Sequence, residues 1–324
     1  MRRSIVISII SVLALVFFTP DIYGAVDYPT KPVKIIVGWP PGGQADTMTR
    51  VLADGLEKVL GKPIVVENKP GGASGIATAL LAKTKPDGYI LGAISDTPLV
   101  RAPHIRKVAY NPMEDVIPVI RTNVSIAGIV VKADSPFKTL KDFLDFAKKN
   151  PGKLTYSHPG SGSSPHLAMG ALEIKYGIKC GPVPFKGDSE MVTALLGGHV
   201  MAGAGTTGGF GPYVKSREMR LLALFSKQRV KLSPEVPTLF EMGYKITAES
   251  NFMIIAPKGT PEPILEKLQN ASVQVMKEPS YGAVADKLWT VYEPILKSEE
   301  LKKLLKEDDE FYGEIIRTLG IKEE

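Results

Sequence analysis

The sequence predicts an α/β protein of two domains. Three observations lead there. Short β-branched runs alternate with amphipathic helical stretches. Glycine- and proline-rich turns separate them. The 324 residues exceed the length at which one hydrophobic core usually stops growing.

The elements follow in order. Val33–Gly38 is a β-branched run ending in the turn Trp39-Pro40-Pro41-Gly42-Gly43. A helix begins near Ala45, with Met48, Val51, Leu52, Leu56, Val59 and Leu60 on one stripe, and Gly61-Lys62-Pro63 stops it. Ile64–Glu67 is a strand, the turn Asn68–Ala73 follows, and Ser74 is placed to cap the next helix. Tyr89–Ala93 and the longer run Ile126–Val131 are strands, the latter able to leave the first domain. Thr139 and Asp142 read as a capping-box-like start to the helix carrying Leu140, Phe143, Leu144 and Ala147. After Leu154–Ser157 comes the loop His158–Ser163, then Ser164-Pro165 as a helix start. Val183–Phe185 and Val200–Ala204 flank a helix over Ser189–Leu196. Phe252–Ala256 is a strand able to return the chain, Thr260-Pro261 starts a helix, and a Lys- and Glu-rich helix closes the sequence against the first domain. Two crossings give domains at 26–130 plus 250–324 and at 131–249, with two strands as hinge.

Arg2 and Arg3 precede an apolar run, Ile5 to Phe18, broken by Pro20. It is shorter than the about 20 residues a membrane span needs and has the layout of a secretory signal over residues 1–25. Cleavage falls after Gly24 or Ala25, although Tyr23 or Ile22 at the −3 position is larger than usual. An uncleaved anchor or core helix is the other reading. No cysteine lies nearby to carry a lipid, and Cys180, the only one, excludes an intrachain disulfide and reads as a small buried residue.

Lys and Arg number 40 against 34 Asp and Glu, and the surplus is spread thinly. No basic stripe interleaved with aromatics points to nucleic acid. Enzyme signatures are missing as well. There is no P-loop, Gly160-Ser161-Gly162 has Pro165 where a dinucleotide fingerprint needs glycine, and no Gly-x-Ser-x-Gly elbow occurs. His104, His158, His166 and His199 lack the spacing of a metal site, so neither metal nor cofactor is expected. Ser74 or Ser163 would need a histidine base, for which His158 and His166 are the sequence neighbours.

Three stretches share a design of strand, glycine-rich turn and helix start: Trp39–Asp46, Asn68–Ser74 and Ser157–Ser164. Unpaired N–H groups at a helix start, with the positive end of its dipole, attract an anion. Each turn alone is ordinary loop chemistry; three together suit a small carboxylate. Trp39 either packs in the core or lines a cleft, and Asp46 either caps its helix or meets a ligand.

These stretches also carry a resemblance. Tyr28-Pro29-Thr30-Lys31-Pro32-Val33, Gly38–Asp46, Val66–Gly72, Lys85–Tyr89 and Tyr156–Ser163 with Pro165-His166-Leu167 occur in register. So do Phe185-Lys186-Gly187, Leu195–Gly198, Val236-Pro237-Thr238 and Ala256–Pro261. From about residue 28 to 320 the ordered set resembles the substrate-binding receptors of tripartite tricarboxylate transporters, also called the Bug family. The resemblance implies a type II periplasmic binding protein fold of two Rossmann-like lobes closing on a ligand. It implies a monomer in the periplasm that delivers a small carboxylate to membrane transporter subunits. A sensor accessory docking a signalling kinase would use the same loaded receptor.

In the family, the first two loops hold a ligand carboxylate through backbone amides and ordered waters. The matching positions here are Gly43, Gln44, Ala45 and Asp46, then Gly72, Ala73 and Ser74. The second-domain loop matches at Ser161, Gly162 and Ser163, and the strand-end segment at Gly205, Thr206 and Thr207. Trp39 stands where phenylalanine is common, Met201 where aspartate is usual, and Asp188 where a small residue is usual.

Overall fold

The computed structural model describes residues 27–185, 187–230 and 233–321. The expected export segment, residues 1–25, lies outside the described residues. In chain order the first elements are β1 (Val33–Val37), α1 (Gln44–Leu60), β2 (Ile64–Asn68), α2 (Gly75–Leu81) and β3 (Ile90–Ser95). Two short helices, α3 (Thr97–Val100) and α4 (Ala102–Ile105), lead to the 17-residue strand β4 (Val116–Lys132). Then come α5 (Leu140–Lys149), β5 (Thr155–His158), α6 (Ser164–Tyr176), β6 (Gly181–Pro184), α7 (Asp188–Leu196), β7 (Ala202–Thr206), α8 (Thr207–Lys215) and β8 (Met219–Leu224). The chain ends with β9 (Glu249–Pro257), α9 (Glu262–Met276), α10 (Pro279–Lys287) and α11 (Ser298–Leu319).

The strands run β2-β1-β3-β9-β4-β7-β5-β6, with β8 also on β4. β1 pairs parallel with β2 and β3, whereas β9 is antiparallel to β3 and β4. β4 belongs to both halves. Its residues Val116 to Ile126 pair with β9; from Ala127 onward it pairs with β7, and from Gly128 also with β8. At about 3.3 Å per residue it spans roughly 55 Å, enough to cross both sheets.

Period-two alternation decides what each strand buries. Val33, Ile35 and Val37 enter a core with Met48, Leu52 and Leu56 of α1 and Leu268 of α9. Ile36 faces the other way, onto Leu81, Leu99 and Leu301. In the second half Ile129 and Val131 pack with Phe143 and Leu172, while Val130 meets Leu195 and Phe210. Thr139 and Asp142 form the expected capping box. Ser74 occupies the N-cap of α2, but its hydroxyl does not cap it. The closing helix reaches further than expected. Leu301, Leu305 and Ile316 cover the first sheet, and Leu319 lies against Gly170 of α6, where an added β-carbon would sit 2.4 Å from it.

Buried charge gathers where β3, β9 and α11 meet. Asp96, just past β3, is fully buried and pairs with Arg101, itself only 1% exposed. Its other oxygen accepts from the backbone and side-chain N–H groups of Asn251 at 2.9 and 3.2 Å. Arg101 also donates to Thr97 at 2.7 Å and lies 4.7 Å over the Tyr312 ring. Burial, opposed by Arg101 but reinforced by Asp96, pushes the Asp308 carboxyl up to about 7.

Two histidines hold the loop after β5. His158 and His166 stack with centroids 4.2 Å apart. His158 Nδ1 lies 2.9 Å from the Gly160 carbonyl, and His166 Nδ1 accepts from Gly162 N–H at 3.1 Å. Burial pushes His158 down to about 4 and also lowers His166. Elsewhere, burial pushes the Cys180 thiol up to about 12, keeping it inert.

Arg101→Met should cost about 3–5 kcal/mol in denaturant unfolding, because Asp96 is left charged and buried without its partner. The histidine pair predicts acid sensitivity. The unfolded chain takes up these protons near pH 6.5, the folded chain only near 4 for His158. Stability from this source is therefore complete above pH 6.5 and is lost as pH falls toward 4. Unfolding free energies at pH 7 and 4.5 should differ by roughly 2 kcal/mol less in His158→Gln than in the native chain.

Candidate ligand-binding site

A cavity of about 640 Å³ opens between the two halves of the sheet. Its walls are built from the starts of five helices. Gly43 to Ala45 begin α1, Gly72 and Ala73 precede α2, Ser163 to Pro165 begin α6, Gly187 to Ser189 begin α7, and Thr206 precedes α8. None of these five N-termini is capped by the side chain of its own N-cap residue. Their N–H groups and dipoles give the cavity a positive bias without requiring a lysine on its wall.

The first loop is locked from behind. Asp46 accepts from Gly42 N–H at 2.9 Å, from Arg50 Nε at 3.0 Å and from Asn68 Nδ2 at 2.9 Å. Burial opposes ionisation, but the bonds from Arg50, Gly42 and Asn68 together hold this carboxyl below its usual range. Asn68 Nδ2 also reaches the Trp39 carbonyl at 2.9 Å, tying the second loop to the first. Gly38 must lack a side chain, since an added β-carbon would lie 2.2 Å from Ser74 Cβ. In the second loop Gly72, Ala73 and Ser74 all have positive φ, from 51° to 70°. For Ala73 and Ser74 that conformation costs of order 1 kcal/mol each, and it folds the loop tightly onto the cavity. Ser74 Oγ donates to Ala73 O at 2.6 Å and accepts from Ser95 N–H at 3.2 Å.

Four buried donors at the cavity wall have no hydrogen-bond partner among the described residues: Trp39 Nε1, Gln44 Nε2, Ser125 Oγ and Ser163 Oγ. Buried polar groups normally find partners; these four belong to wall residues but lie just beneath the wall surface. Trp39 serves both of its possible roles. Its ring packs on the first core and tilts against Phe252 at 6.2 Å, and the residue is also part of the cavity wall.

The sequence-derived residues divide into wall and support. Trp39, Gly43, Gln44, Ala45, Gly72, Ala73, Ser161, Gly162, Ser163 and Thr206 line the cavity. Asp46, Ser74, Gly205 and Thr207 do not. Asp46 and Ser74 brace their loops, Gly205 leaves room for Met191 and Asp188, and Thr207 is fully buried beneath the wall. The third turn also differs in its chemistry. Gly162 N–H is spent on His166 and Ser163 N–H on Gly160 O, so those two amides are not available to a ligand. Met201 packs beside the second core, away from the wall.

Sequence reasoning missed Ser95, Thr97, Arg106, Ser125, Ser250 and Phe252, all of them on the wall. Ser95 ends β3, and the preference of ligands for the carboxyl ends of strands could have found it. Ser125 and Ser250 sit at the switch between the two sheets, where an apolar run gives no hint of function. Neither candidate serine hydrogen-bonds a histidine among the described residues: Ser74 Oγ is engaged with Ala73 O and Ser95, and Ser163 Oγ has no partner. Among the described residues no His, Cys, Asp and Glu cluster could hold a metal ion, and no helix is long and apolar enough to cross a membrane.

Comparison with known proteins agrees with this geometry. The family model described as tripartite tricarboxylate transporter family receptor matches residues 48–321. A protein of Cupriavidus necator named for the gbd 5′ region is 41% identical over 254 residues, covering 78% of this chain and 77% of its own. BugT of Bordetella pertussis is 34% identical over 241 residues, covering 74% of each chain. A TctC solute-binding protein from Polaromonas superposes with a TM-score of 0.78 at 32% identity, over 90% of this chain and 99% of that one. MatC from Rhodopseudomonas palustris, solved with bound malate, gives 0.74 at 25% identity, over 89% and 100%. The family and these structural neighbours are solute-binding proteins rather than enzymes. With its fold, cavity and sequence in agreement, the chain belongs to the tripartite tricarboxylate transporter receptor family, whose Bug proteins are among its relatives.

Proposed function

We propose that this protein is a periplasmic receptor that captures a small organic carboxylate in the cavity and delivers it to the membrane subunits of a tripartite transporter. The observation that carries the reading is the convergence on one chamber of five helix starts, none capped by the side chain of its own N-cap residue. A carboxylate accepts from N–H groups at such starts and meets the dipoles with the favourable sign. The malate bound to MatC supports the ligand class.

The lobes of this reading are residues 26–130 with 250–324, and 131–249, exported by the segment 1–25 and working as a monomer. β4 and β9 form the hinge, because pairing passes from one sheet to the other near Ile126 and Glu249. Contacts across the chamber support closure on the ligand. A β-carbon on Gly162 would lie 2.3 Å from Ile105 Cδ1, and one on Gly208 would lie 3.1 Å from Gln44 Oε1. Ligand binding would then shift an open–closed equilibrium that the membrane subunits read.

Calorimetry against a panel of organic acids tests the ligand class; binding of neutral or cationic solutes alone would overturn it. Gly43→Val should weaken carboxylate binding at least about tenfold while costing about 1 kcal/mol or less of stability. The latter follows because the added β-carbon has open space, its nearest neighbour being Pro40 O at 3.7 Å. Equal loss of both would make the turn purely structural. Ser125→Ala removes a buried, unpartnered hydroxyl, so the ligand-free protein should melt no lower than the native chain, while affinity falls about tenfold. A lower melting point without ligand, or unchanged affinity, would contradict its role as a ligand donor.

A further inference from the structure

Resting on that reading, we propose that Asp188 selects the ligand: one carboxylate only, with an N–H or O–H donor at the opposite end. Among the described residues, the ionisable side chains on the cavity wall are Asp188 and Arg106, one from each half of the protein. Arg106 belongs to the first half, just after α4, and donates to Gly72 O at 3.0 Å on the second loop. Asp188 is the first residue of α7, in the second half.

The Asp188 side chain has a built niche. A β-carbon on Gly209 would lie 2.4 Å from Asp188 Cβ, and one on Gly205 would lie 3.0 Å from its Oδ1. Oδ1 accepts from Thr206 N–H at 3.1 Å and Oδ2 from Thr206 Oγ1 at 2.7 Å. The protein's own carboxylate therefore sits against the start of α8, one of the five helix starts that would otherwise serve a ligand anion. Each carboxylate oxygen can accept a second hydrogen bond, and no ion pair to this residue occurs among the described residues. Burial raises its carboxyl above the ordinary range, with the two Thr206 bonds acting in the opposite direction. Both of its oxygens accept hydrogen bonds at the adjoining starts of α7 and α8, an arrangement that favours the ionised form against burial, so the second half of the chamber carries its own carboxylate and the starts of α1, α2 and α6 are left for a ligand anion. A second ligand carboxylate beside Asp188 meets a like charge in a desolvated setting, whereas a hydroxyl or ammonium meets an acceptor.

The test is calorimetry with the purified full chain against length-matched acids. One set is succinate, γ-hydroxybutyrate and γ-aminobutyrate; another is adipate with its ε-hydroxy and ε-amino monocarboxylate counterparts. In the set that fits, the donor-bearing monocarboxylate should bind at least about tenfold tighter than the dicarboxylate, a gap of about 1.4 kcal/mol. The hydroxyl and ammonium arms decide which donor is preferred. Asp188→Asn should erase that gap by gaining about tenfold for the dicarboxylate. A native chain that binds the dicarboxylate equally well, or a preference unchanged in Asp188→Asn, would overturn the inference while leaving the carboxylate receptor intact. Should neither protein bind any acid of either set while a non-acidic solute binds, the receptor reading falls and this inference with it. Circular dichroism melts check folding; if Asp188→Asn does not fold, the native chain's ranking of each matched set decides alone.

Discussion

Asp96 is the point at which the first sheet, a crossing strand and the cavity wall are tied together. Its carboxylate engages Arg101 and two N–H groups of Asn251, and its own N–H donates to the Asn251 carbonyl. Through Arg101 the same cluster touches Thr97 and Ser250, both on the wall. A charge buried this deeply is tolerated only with partners in fixed places. The cluster therefore sets where β9 lies against β3, and with it where the two halves of the sheet face each other. Stability here is less the issue than registry.

Given that frame, the cavity needs little specialised chemistry. Helix starts are by-products of any strand–helix alternation, and their orphan donors are usually satisfied by a capping side chain or water. In this chain the caps are glycine at Gly43 and Gly187, or residues whose side chains turn elsewhere, as at Ser74 and Thr206. Asp46 and Asn68, which could have served as caps, brace the loops from outside instead. The positive bias of the chamber comes from the backbone, and the side chains behind it keep the backbone still.

Much of this was legible in the sequence because it rests on local rules. Alternation along β1, the stripe on α1 and the Thr139–Asp142 box each depend on residues within a few positions. The loops at Gly43, Gly72 and Ser161 were legible for the same reason. What escaped detection depends on neighbours far along the chain. β8 reads Met-Arg-Leu-Leu-Ala-Leu, good helix formers that become strand only because β4 offers a pairing edge. α8 carries three glycines and an internal proline, and propensity argues against the helix it forms. Asp46 and Ser74 sit at positions where a ligand role was reasonable, and only the positions of Arg50, Asn68 and Ser95 turn them into braces. Ser125 and Ser250 became part of the wall through the crossing of two strands, which no local pattern encodes.

The terminal helix has a mechanical consequence. With Leu305 and Ile316 seated on the first sheet, Leu167 of α6 in the same cluster, Ile315 against the second core and Leu319 pressed on the bare backbone of Gly170, α11 straddles both halves. Any swing of the second body away from the first draws Gly170 off that last leucine and exposes a small apolar patch on each. The same helix therefore couples the hydrophobic burial of one half to that of the other, and separating them would cost apolar contact at both.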